Sequence, residues 1–329
     1  MEPVTAIGLP AYRDLPASPD APPGSSWGVW GPDDVLGCLN LLTDEVVLRG
    51  LQAARRGRVF SLNLPLDEPS PPLSGRSAFR HDVQWVGDGM AHDEELHGLN
   101  TQSSSQWDGF RHVNHPRYGF YNGVADELHG VHHWAARGIV GRGVVVDVAR
   151  WRAAQGRPLD MTATDPIEVD DLTGTLDAQG TEVLPGDILL LRTGWLHWYK
   201  GLDAAARAPL GERYRSPGLR AGAAMSELLW DLHVAAVAAD NPALEAWPPG
   251  SLATPEQRQA LREDVRASAD VSLHFSLLPL LGLPIGELWD LDDLAADCAA
   301  VEDHHCLLTS APLHLTSGVA SPPNALAVH

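Results

Sequence analysis

Three short, mainly apolar runs organise the chain: Val144 to Val148, Asp187 to Thr193 and Val234 to Asp240. Runs of this length with apolar residues on both faces predict strands buried within a sheet. Val59 to Leu64 alternates as a strand does, Ile167 to Val169 reads as a short strand, and Leu307 to Thr309 as another. Between them lie helical patterns. Residues 44–56 follow Thr43, a good N-cap, and carry Asp44 and Glu45 in the first turn, where acids favour the helix dipole. Further helices are expected from Asp170, over 221–231 and 255–267, from His274 to Leu281 and over 291–300. Gly138 to Gly143 reads as a turn feeding the Val144 strand, residues 67–80 as loop, and the tail from Pro312 as loop. Strands and helices alternate with no linker or repeat. The expectation is therefore an α/β domain with a mixed sheet over 27–329, preceded by an extended Pro- and Ala-rich arm over 1–26.

Composition narrows the function. With 23 basic against 43 acidic residues the net charge is −20, which argues against nucleic acid and against an anionic membrane surface as partners. No apolar run approaches the ~18 residues that span a bilayer. Lys200 is the only lysine, so Schiff-base or P-loop chemistry must use it, and no phosphate loop precedes it; a surface position is expected. Three cysteines without CxxC spacing, and a start lacking a basic and apolar leader, fit a reducing cytoplasm.

Several motifs fail on context. Gly24 to Gly28 matches GxSxG but lacks the strand and helix that make a nucleophile elbow. His129, His132 and His133 read as a surface or loop cluster. The informative stretch runs from Gln102 to His112. On an extended strand Gln102, Gln106, Asp108 and His112 would share a face, and an Asp with a His suits a metal ligand beside a general base. A polar strand with an Asp–His hydrogen bond is the plainer alternative.

This stretch resembles the HxGTHxDxPxH signature of the cyclase / kynurenine formamidase-like family of metal-dependent hydrolases. Asp108 and His112 match its Asp and last His; Gln102 and Gln106 stand in place of its first two histidines, and Phe110 in place of its Pro. Trp27 to Thr43, Gly186 to Trp195, Asp240 to Glu245, the stretch holding His274 and Glu287, and the closing residues from Ser310 extend the resemblance over roughly 27–328.

The resemblance implies a swivelling β/β/α fold with a mixed sheet or barrel core, assembled as a homodimer or homotetramer. It also implies a divalent ion, Mn²⁺ or Zn²⁺. With two imidazoles replaced by weak amide ligands, Asp108, His274 and Glu287 are left to hold that ion, or the metal is lost and Gln102 and Gln106 bind substrate. His112 would be the general acid/base, with Asp108 catalytic beside it. Trp107, inside the motif, is a candidate wall for an aromatic or cyclic small-molecule substrate. The leading expectation is hydrolysis of an amide, imide, lactam, lactone or ester carbonyl, arylformamidase-like. The alternatives are a metal-independent cyclase or dehydratase of secondary metabolism, and a binding protein without catalysis.

Overall fold

A computed structural model describes residues 8–329. Thirteen strands are present among them: β1 (Val59–Ser61), β2 (Arg80–Val86), β3 (Ala91–His97), β4 (Gln106–Asp108), β5 (Ile139–Val146), β6 (Pro166–Ile167), β7 (Ile188–Leu191), β8 (Gly218–Leu219), β9 (Ala236–Ala239), β10 (Ile285–Glu287), β11 (His305–Ser310), β12 (Ala320–Ser321) and β13 (Ala325–Val328). Nine of them form one mixed sheet in the order β1-β13-β11-β5-β7-β9-β10-β4-β12, curled into a half-barrel. The central β5-β7-β9-β10 block is parallel, and both flanks are antiparallel.

The parallel block contains the three apolar runs. Val144, Val145, Val146, Ile188 to Leu191 and Ala236 to Ala239 are all buried, as strands covered on both faces must be. The helix Asp44–Ala53 begins where Thr43 caps it, the hydroxyl accepting from Val46 N at 3.4 Å. It crosses β5 closely, because a Cβ on Gly50 would fall 2.6 Å from the Gly141 carbonyl carbon. This contact corrects one expectation. Gly138 to Gly143 is no turn: β5 begins at Ile139, and its glycines make room for the helix and, at Gly143, for Cys306.

The tail also departs from the loop reading. β12 pairs with β4, and β13 bridges β1 and β11. Strands of two and four residues show too little alternation to be read alone; they exist because an open sheet edge lay beside them. The β2–β3 hairpin, left without an element by the sequence pattern, exposes nearly all of both strands. With no buried face it carries no hydrophobic period, although the Gly87-Asp88-Gly89 turn, with positive φ throughout, marks it. The helix expected over 255–267 ends at Glu263, and that expected over 274–281 spans Leu273–Leu277.

The described part of the arm lies on the body. Tyr12 N donates to Asp231, Trp230 Nε1 to Pro10 O, and the Ser26 hydroxyl to Leu281 O. Ser26 is thereby occupied in a structural bond. Residues 1–7 of the expected arm lie outside the described residues. Lys200 is paired with Asp290 and Asp292 at 2.8 and 2.7 Å. His129 corrects the surface reading of its cluster: it is fully buried, with Nε2 2.9 Å from Tyr121 O. No helix among the described residues is long and apolar enough to cross a membrane.

Candidate active site

The site forms where β4 and β10 lie side by side. Their antiparallel register sets Gln106 opposite Glu287 and Asp108 opposite Ile285. Alternation then places the Gln106, Asp108 and Glu287 side chains on one face and Trp107 on the other. Behind the strands, Gly286 leaves space for the Trp289 indole: a Cβ there would sit 2.8 Å from its Nε1. That Nε1 donates to Gln106 O at 3.0 Å, fixing β4 from the core side. Ser105 anchors the strand's start, its hydroxyl donating to Leu288 O and accepting from Leu64 N.

The expected continuous strand over 102–112 is replaced by a three-residue strand between turns. Asp108 and Gln106 share a face as anticipated, whereas Gln102 and His112 return to them through the flanking turns. The Gln102 amide Nε2 donates to Asp108 Oδ1 at 2.7 Å and lies 3.1 Å from His112 Nδ1. The Gln106 amide Nε2 donates to Glu287 Oε2 at 2.6 Å and reaches Asp108 Oδ1 at 3.4 Å. Both glutamines are thus engaged with the site's own carboxylates.

His274, near the start of the helix Leu273–Leu277, completes the cluster. Its Nε2 lies 3.1 Å from Glu287 Oε1 and 3.9 Å from Asp108 Oδ2. Its Nδ1 lies 2.6 Å from Glu245 Oε1. Glu245 is fully buried and also accepts from Leu273 N and the Ser272 hydroxyl. It therefore holds the imidazole with Nδ1–H toward itself and Nε2 toward the site, the arrangement by which carboxylates orient metal-binding histidines. Asp108, His112 and His274 each bring a ligand atom within 4.8 Å of the others. Residues 108 and 112 therefore meet 274 and 287 around one pocket.

Charge at the site is unbalanced. Burial and then the neighbouring Asp108 raise the Glu287 carboxyl well above the ordinary range, while His274 pulls it back. Burial lowers His274, but Glu245 and Glu287 together hold it well above its usual value. Burial lowers His112, opposed by Asp108 and assisted by the positive charges of His274 and Arg76. Two buried acceptor atoms, Asp108 Oδ2 and Gln106 Oε1, have no hydrogen-bond donor. Such orphaned oxygens are rare in folded proteins. The Asp108 carboxylate, with one oxygen unpartnered, and the His112 and His274 imidazoles form a group that could hold a metal ion.

Trp107 is a correction. It is fully buried on the reverse face of β4, with its ring 4.7 Å from that of Trp289 and its Nε1 donating to Ser310. Its alternation with Gln106 and Asp108 removes it from the pocket. The aromatic wall is supplied by Tyr214 and Trp247, which sequence reasoning did not single out. Glu245 and Arg76 were also missed. Glu245 stands 29 positions before His274, with no periodicity to connect them.

Comparison with known proteins places this geometry. The family model described as "Putative cyclase" matches residues 58–246, more than half of the chain, so the protein belongs to this family. A crystal structure described as a novel cyclase is 29% identical with a TM-score of 0.77, over 93% of this chain and 97% of that one. Isatin hydrolase A from Ralstonia solanacearum shares the fold at 18% identity and a TM-score of 0.57, over 82% of this chain and 91% of that one. Isatin hydrolase A from Labrenzia aggregata does so at 17% and 0.53, over 82% and 93%. No curated protein matches the chain.

Proposed function

We propose that this protein hydrolyses an amide, imide, lactam, lactone or ester carbonyl in a small molecule, using a divalent ion held by Asp108, Glu287 and His274. The observation that carries this reading is the donorless Asp108 Oδ2, buried 3.9 Å from His274 Nε2 beside a second buried carboxylate. A Mn²⁺ or Zn²⁺ ion bound there supplies a Lewis acid and lowers the pKa of water. The remaining work falls to the chain. Glu245 fixes the His274 ring so that Nε2 points inward. His112, kept neutral by burial, accepts the proton of the attacking water and returns it to the departing nitrogen or oxygen. The Gln102 amide, bonded to Asp108 and contacting the His112 ring, orients that base. The same reading assigns the arylformamidase-like bonds, formyl amides and cyclic imides, as first candidates, and a homodimer or homotetramer as the assembly.

A second reading has its own support. The amide N–H groups of Gln102 and Gln106 already reach Asp108 and Glu287 at 2.7 and 2.6 Å, partly doing a cation's work. It describes a metal-free acid–base enzyme. Elemental analysis of the purified chain, with a screen of formyl amides, cyclic imides and lactones, separates the two. The first reading expects stoichiometric metal, turnover abolished by chelation, and a His112→Ala variant that loses turnover by roughly a hundredfold or more. Turnover indifferent to chelation favours the second. Turnover unaffected in His112→Ala overturns both.

A further inference from the structure

Arg76 lines a chamber of about 220 Å³ together with His112, His274, Glu287, Tyr214 and Trp247. A guanidinium offers five N–H donors in a planar fork. Among the described residues, the one acceptor the Arg76 guanidinium engages is Gln102 O, 2.7 Å from Nη1. Fourteen of the chain's arginines form ion pairs with Asp or Glu; Arg76 is one of eight that form none among the described residues, and of those eight it alone lines this chamber. It lines the same chamber as His112 and Glu287, the groups placed at the reaction site.

The same chamber is lined by an aromatic pair. The Tyr214 and Trp247 rings are stacked, 5.9 Å between centroids and 19° between planes. They face the inner chamber and, with Ser74, also border an outer chamber of about 780 Å³. A cavity of roughly 150 Å³ suffices for benzene. The inner chamber therefore holds one substituted ring, and a larger substituent would continue past the Tyr214–Trp247 edge.

We propose that Arg76 binds a substrate carboxylate while Tyr214 and Trp247 cover the ring that bears it. The substrates of this enzyme are then aromatic carbonyl compounds carrying an anionic group. The inference rests on the reaction site proposed above for its chemistry, but binding tests it without turnover.

The experiment is a ligand-observed NMR titration of the full chain, stripped of metal by chelation, with benzoate, benzamide and cyclohexanecarboxylate. Charge-assisted hydrogen bonds set the expected scale, roughly tenfold or more in affinity. Benzoate should bind at least that much more tightly than benzamide, and more tightly than cyclohexanecarboxylate. Arg76→Gln should erase the preference for benzoate over benzamide, with an unchanged melting temperature as the check on folding. Arg76→Lys should recover part of it, since an ammonium lacks the fork. Trp247→Leu should weaken benzoate and benzamide alike. Equal binding of benzoate and benzamide to the unaltered chain, absence of benzoate binding, or undiminished benzoate binding in Arg76→Gln overturns the proposal. A chain that binds as expected yet hydrolyses nothing would instead overturn the reaction assigned to the site.

Discussion

Asp187 and Asp108 are both fully buried at the ends of sheet strands, yet their surroundings differ completely. Asp187 precedes β7 and has a donor on every side. Arg142 grips it with Nε and Nη2 at 2.9 and 2.6 Å, Leu184 N donates at 2.7 Å, and Arg49 adds a contact at 3.4 Å. Asp108 ends β4 with one oxygen held by glutamine amides and the other without a donor. Fold stability favours the first arrangement and resists the second, because an unpaired buried carboxylate is expensive. Asp187 is thus a structural charge, whereas Asp108 is kept at a cost that a bound cation would offset.

The largest expected effect is at Asp108. Asp108→Asn should reduce turnover by roughly a hundredfold or more and lower metal content, while the urea midpoint of the metal-free protein stays level or rises, because a like charge beside Glu287 is removed. A lower midpoint in the metal-free variant would make Asp108 structural after all. Asp187→Ala should do the reverse: about 3 kcal/mol of stability lost by urea unfolding, with turnover intact in the folded fraction.

Asp240 lies between these extremes. Burial pushes its carboxyl up to about 6, against the hydrogen bonds from Thr193 and Gly194 and the charge of Arg192. An unfolded Asp titrates near ~3.9, so the folded protein holds the proton more tightly. The resulting stability is fully present below that value and is lost as pH rises through about 6. The loss should amount to about 2 to 3 kcal/mol, read from melting temperatures at pH 4 to 8. Asp240→Asn should flatten the profile across that window.

The sequence made some of this legible and hid the rest for identifiable reasons. Runs such as Ile188 to Leu191 declare a buried strand because each residue must be apolar on its own account. β12 declares nothing, since its pairing depends on β4, more than 200 residues away, and β13 needs β1, equally distant, as well as the nearer β11. Asp108 and His112 were readable through the family signature, and His274 and Glu287 through a second segment of the same resemblance. Trp107 was misread because proximity along the chain outweighed alternation. Its odd position between Gln106 and Asp108 already pointed it to the opposite face.

Local chemistry in the sequence therefore determined the strand runs, the Thr43 cap, the acidic balance and the residue types available for catalysis, because each depends on a residue and its near neighbours. Tertiary structure alone decided that Glu245 would hold His274, that Arg76 would be left without an acid, and that Tyr214 and Trp247 would wall the pocket. Those relations join segments tens to hundreds of residues apart. They arise only when the closing sheet brings β4 beside β10 and excludes water from the face between them.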